Sequence, residues 1–86
     1  MPYTVRFAPS AQRDLKRLAP SVRDRIIPAI MALADDPRPR GVRKLVGFDD
    51  RYRIRVGDCR IIYDVLDCEL LVLVIRIGHR GSLYER

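Results

Sequence analysis

Arg51, Arg53 and Arg55 recur at every second position, Arg60 follows shortly after, and Arg76, His79 and Arg80 stand close together near the end of the sequence. A guanidinium group presents a planar fork of N–H donors that fits a phosphate through two parallel hydrogen bonds, and it stays protonated at any working pH. Such groups are suited to holding a polyanion and to stabilising charge that develops on a phosphate oxygen. They are poorly suited to accepting a proton. The single histidine, His79, is the member of this set that titrates near neutral pH and can move protons, although a lone histidine also serves ordinary packing and surface roles. Tyr84 offers a ring that can stack on a base or anchor a core.

Side chains alternate across a strand, so the spacing dictates which of these groups share a face. In 51–56, Tyr52, Ile54 and Val56 form the apolar set and Arg51, Arg53 and Arg55 the opposite one. In 59–66, Cys59, Ile61, Tyr63 and Val65 form the apolar set, leaving Arg60 with Ile62 and Asp64. The last apolar stretch, 69–77, is expected to turn Leu71, Leu73, Ile75 and Ile77 to the core and Arg76, Gly78 and Arg80 the other way. Neighbouring strands then gather Arg53, Arg55, Arg60, Arg76 and Arg80 on one side of one sheet, with Arg51 and Lys44 nearby as further phosphate contacts. A solvated sheet face is usually mixed in sign, because like charges on adjacent strands repel. Asp64 is the chief acid on this side, so the pattern fits a phosphate-binding surface or a surface for an acidic protein partner.

The elements that hold these strands read in order. Tyr3–Phe7 alternates as a half-buried strand. Pro9 and Ser10 mark a helix start, with Ser10 able to cap the exposed N–H groups. Ala11, Leu15 and Leu18 form the apolar stripe of that helix, and Arg13, Asp14, Lys16 and Arg17 its polar side. Ala19-Pro20-Ser21 starts a second helix, whose stripe is Val22, Ile26, Ile27, Ile30 and Leu33. Pro28 lies within it and should kink or split it. Residues 35–41 form a loop, and Lys44–Val46 either pairs or belongs to it. Gly57-Asp58 and Asp67-Cys68 turn the chain between three strands, and Gly78 ends the last of these. The expectation is an α+β fold of order βααβββ: a helical hairpin on one face of an antiparallel three-stranded meander, with the first strand joining the same sheet.

Length and composition set the outer limits. Eighty-six residues make one domain, 1–86, and 48% hydrophobic residues are enough for a packed core. Lys+Arg exceed Asp+Glu by 17 to 11, a formal charge of +6 at pH 7, which suggests nucleic acid, an acidic membrane or an acidic protein as partner. No apolar run is long enough to span a membrane. Two cysteines and one histidine are too few for a zinc-like site, so no metal or cofactor is expected, and both thiols are read as reduced in a cytoplasmic protein.

The pieces FAPSAQRDLKRL, DDPRPRGVRKLVG, RYRIRVGDCRIIYDV and VIRIGHRGSLYER together resemble the RelE/ParE superfamily of bacterial toxin–antitoxin systems over nearly the whole length. The most specific stretch is Tyr52–Tyr63, and His79-Arg80 followed by Tyr84 is similar to the usual ending. In the RelE branch this resemblance implies metal-independent cleavage of mRNA, usually in the ribosomal A site, by attack of a 2′-hydroxyl on the adjacent phosphate. It assigns Arg55 or His79 to the 2′-proton, Arg60 and Arg80 to the phosphate and leaving oxygen, and Tyr84 to a base. Relatives carry lysine at the positions of Arg53 and Arg55, which weakens proton abstraction by Arg55 and strengthens the case for His79. The resemblance also implies a cognate antitoxin, an acidic segment that wraps the toxin in a hetero-oligomer. Two alternatives remain: a ParE-like toxin that inhibits DNA gyrase without cutting RNA, and a binding partner without activity.

Overall fold

A computed structural model of the chain describes residues 2–79. Strand β1 (Thr4–Phe7) leads into helices α1 (Pro9–Arg17) and α2 (Pro20–Met31), and α2 runs on into a 3₁₀ turn at Ala32–Ala34. After a loop come β2 (Arg43–Lys44), β3 (Arg51–Val56), β4 (Cys59–Leu66), a 3₁₀ turn at Asp67–Glu69, and β5 (Leu71–His79). The five strands form one sheet in the order β1-β5-β4-β3-β2. Strands β3, β4 and β5 make the expected antiparallel meander, the short β2 pairs antiparallel on β3, and β1 lies parallel to β5. The sheet is therefore mixed, with the helical hairpin on one face.

The core lies between that hairpin and the sheet. Ala11, Ile26, Ile30 and Leu33 meet Ile61, Tyr63 and Val65 of β4 and Val72, Val74 and Ile77 of β5. Strand β4 alternates without exception between buried and half-buried residues. Tyr63 is fully buried, and its hydroxyl donates to the Pro37 carbonyl at 2.8 Å, which ties the loop after α2 to the sheet. Burial pushes the Tyr63 phenol well above its ordinary pKa.

Strand β5 departs from the expected parity. Val72 and Val74 face the helices, whereas Leu71, Leu73 and Ile75 are only half-buried. The register explains the difference: Tyr63 opposes Val74 but Ile62 opposes Arg76, so Ile75 is an extra residue in a β-bulge. The bulge returns Ile77 to the core and puts Arg76 and Gly78 on the other face. In a strand apolar at almost every position, nothing in the residue types marks such a phase slip. The strand also runs through Gly78 to His79 rather than stopping at the glycine.

Three helix details correct the sequence reading. Pro28 does not split α2, which is continuous to Met31. A proline in a helix frees the carbonyl four residues back, and Asp24 lies on the exposed side. Ser10 does not cap α1; Pro9 occupies the first turn, and the Ser10 hydroxyl donates instead to the Ile75 carbonyl at 2.6 Å. Asp14 is not on the solvated side but is the one buried charged residue among those described, 8% exposed.

Candidate nucleic-acid interface

The sheet ladder aligns side chains in rows on the face away from the helices. Nearest the β3–β4 turn, Arg55 stands opposite Arg60, and Arg60 opposite Gly78. The next row runs Arg43, Arg53, Ile62, Arg76. A third holds Arg51, Asp64, Leu73 and Arg6. Two pairs of arginines, Arg55 with Arg60 and Arg43 with Arg53, thus face each other directly across strands. Directly opposed Cβ atoms lie about 5 Å apart, and two unit charges about 6 Å apart in water repel by about 0.7 kcal/mol.

Carboxylates answer part of this charge. Arg51 makes two hydrogen bonds to Asp64, at 2.7 and 3.2 Å, with both side chains partly buried. Arg76 leaves its row and turns to Asp14 on α1, at 2.8 and 3.4 Å. The hydrogen bonds that both guanidinium groups donate to these carboxylates hold them more firmly protonated than usual. The third ion pair among the described residues joins Arg38 to Asp67, away from these rows. Arg43, Arg53 and Arg55 carry no carboxylate partner among the described residues.

The structure therefore brings Arg53, Arg55 and Arg60 together, adds Arg43, and supplies Arg51 and Arg76 already engaged. Lys44 opposes Tyr52, whose ring stacks on buried Tyr63, so alternation puts Lys44 on the side of the helices rather than with the arginines. His79 opposes buried Cys59 and so also falls on the helix side. There it lines an open groove of about 240 Å³ with Asp14, Arg17, Leu18, Arg76, Ile77 and Gly78. Gly78 belongs to both places, as a neighbour of Arg60 in the ladder and as part of the groove wall. Arg80 and Tyr84 lie outside the described residues.

The sequence reading missed Arg43, Asp14 and Ser10. Arg43 was recoverable from alternation once its pairing with β3 was known. Ser10 and Asp14 stand four apart on the α1 face that carries Ala11, a spacing that marks a polar seam beside the apolar stripe.

No helix of the described residues is long and apolar enough to cross a membrane. The comparisons with known proteins agree with one another. Residues 5–84 match the family model described as ParE toxin of type II toxin-antitoxin system, parDE. Toxin RelG of Mycobacterium tuberculosis is 34% identical over the full length of both chains. The mRNA interferase toxin RelE of Escherichia coli is 29% identical over 93% of this chain and 85% of its own. A RelBE-type toxin–antitoxin complex from Mycobacterium tuberculosis contains a chain that superposes with a TM-score of 0.84 at 30% identity, covering 95% of each. The chain belongs to the ParE toxin family of type II toxin–antitoxin systems, within the RelE/ParE superfamily.

Proposed function

We propose that this toxin is a metal-independent endoribonuclease that cuts mRNA in the ribosomal A site, and that its arginine face holds the RNA backbone. The observation that carries this reading is the cross-strand couple Arg43/Arg53, with Arg55 and Arg60 in the row beside it on the same face. Repulsion at such positions costs folding stability, and a phosphate placed between two guanidinium groups offsets it. The naming of a relative as an mRNA interferase supports the same reading.

In this proposal the 2′-hydroxyl oxygen attacks the adjacent phosphorus, its proton passing to a base, and the P–O5′ bond breaks with a proton delivered to the leaving oxygen. A cyclic phosphate and a free 5′-hydroxyl result. Arg60 holds the phosphate, Arg53 and Arg55 continue the backbone track, and Arg80 and Tyr84 serve the leaving oxygen and a flanking base. His79 is the proton carrier. It sits on the other side of β5 from Arg60. The partner is a cognate antitoxin with an acidic segment that covers the arginine face, and the toxin acts in the cytoplasm.

Induction in growing cells tests the proposal. Wild type should stop growth and leave in-frame cuts in mRNA by primer extension. Arg60→Ala should do neither, and co-expression of the adjacent gene should restore growth. The matched family model is described by a ParE toxin, and a ParE-like gyrase inhibitor would instead induce DNA damage with mRNA intact. That result would refute the ribonuclease reading.

A further inference from the structure

We infer that Asp14 is a positioning residue: it fixes the end of β5 on which the proposed cleavage chemistry stands, and it withdraws Arg76 from the RNA face. The inference rests on the ribonuclease reading for its consequence, but the clamp itself stands on geometry alone.

Strand β1 covers only the first part of β5, with Phe7 opposite Val74 as its last pair. Beyond that point no strand among the described residues lies beside this edge of β5, and its backbone groups need partners. Helix α1 supplies them. Ser10 donates to the Ile75 carbonyl, and Asp14, one helical turn on, accepts the Ile77 N–H at 2.8 Å. The helix thus substitutes for the missing strand, and it does so at the bulge, where the ladder to β4 is itself interrupted. The residues immediately beyond this clamp are Gly78 and His79.

A neutral acceptor could also take the Ile77 N–H, through a weaker hydrogen bond. The carboxylate does something more. Ladder position puts Arg76 in the row of Arg43 and Arg53, yet Asp14 draws its guanidinium to the edge. Asp14 therefore has two separable effects, one on the backbone of β5 and one on the charge available to RNA. One carboxylate oxygen accepts both the Ile77 N–H and the Arg76 Nε–H, so Asp14→Asn keeps an oxygen for the Ile77 N–H but removes the charge and the second oxygen and loosens the hold on Arg76, whereas Asp14→Ala loses both contacts.

The test compares these variants with wild type in amide exchange of the free protein and in cleavage of ribosome-bound mRNA. In Asp14→Ala, exchange at Ile77 should rise sharply while the amides of β4 keep their protection, and kcat should fall by as much as about 100-fold, the cost of misplacing reacting groups by about 1 Å. In Asp14→Asn, Ile77 should remain protected, kcat should recover most of the way to wild type, and KM should fall because Arg76, held less firmly, can join Arg43 and Arg53 on the sheet face. Loss of stability alone lowers the active fraction of both variants and cannot lower KM. Equal kcat in the two variants, or an Ile77 amide as protected in Asp14→Ala as in wild type, would overturn the inference. Wild-type protein that cuts no RNA defeats the ribonuclease reading, and with it any bearing of Asp14 on chemistry, while Ile77 exchange still decides the clamp.

Discussion

Replacing Arg55 by glutamine keeps much of the side chain's length and hydrogen-bonding reach and removes one charge from the couple with Arg60. Arg55 is exposed and has no carboxylate partner among the described residues, so little attraction is lost. Two charges about 6 Å apart in water repel by about 0.7 kcal/mol, and a Debye length of about 8 Å at physiological salt reduces this to about 0.3 kcal/mol. Arg55→Gln should therefore stabilise the free protein by about 0.3–0.7 kcal/mol, more at low salt than at high. In a domain of this size that is a rise in melting temperature of roughly 1–5 °C. Binding of single-stranded RNA should weaken, and the slope of log affinity against log salt should flatten by about 0.7 if Arg55 neutralises one phosphate. Thermal melts and fluorescence titrations at several salt concentrations measure both. A variant destabilised by more than about 1 kcal/mol would show that Arg55 has a structural partner. An unchanged salt slope would show that it does not meet phosphate. Either result refutes the reasoning that this face trades stability for anion binding.

Asp64→Asn should free Arg51, cost about 1–2 kcal/mol in urea denaturation, and steepen the salt slope for RNA by about 0.7. Tyr63→Phe removes the hydroxyl that reaches the Pro37 carbonyl while keeping the buried ring, and should cost about 1 kcal/mol with an unchanged denaturant slope. Of the two thiols, exposed Cys68 should react with a thiol reagent in the native protein, whereas buried Cys59, its pKa raised chiefly by burial, should react only on unfolding. The same shift makes the unfolded chain release the Cys59 proton before the folded one does, so this group's contribution to stability should decline as pH rises above the ordinary thiol range, measurable by denaturant melts across alkaline pH.

Strands β3 and β4 were legible because each alternates cleanly and a glycine turn separates them, so the residue types alone predicted that Arg53, Arg55 and Arg60 share a face. The helices were legible from their apolar stripes. Strand β5 was not, since a run of leucine, valine and isoleucine carries no phase and conceals the bulge at Ile75. Asp14 was misplaced for a related reason: a carboxylate among arginines and lysine reads as solvated, and only the bare edge of β5 explains its burial. Engagement of Arg51 and Arg76 by carboxylates likewise depends on contacts between distant segments, Arg76 with Asp14 above all. Position along a strand gives a face but not the direction in which a long side chain finally turns.

The most direct test is amide chemical-shift mapping of isotope-labelled protein with an RNA made uncleavable by 2′-O-methyl groups. Binding through the arginine face should perturb Arg43, Arg53, Arg55, Arg60 and Ile62 and leave the outer side of α1 and α2 unchanged. Perturbations confined to the helices, with these sheet residues silent, would contradict the account.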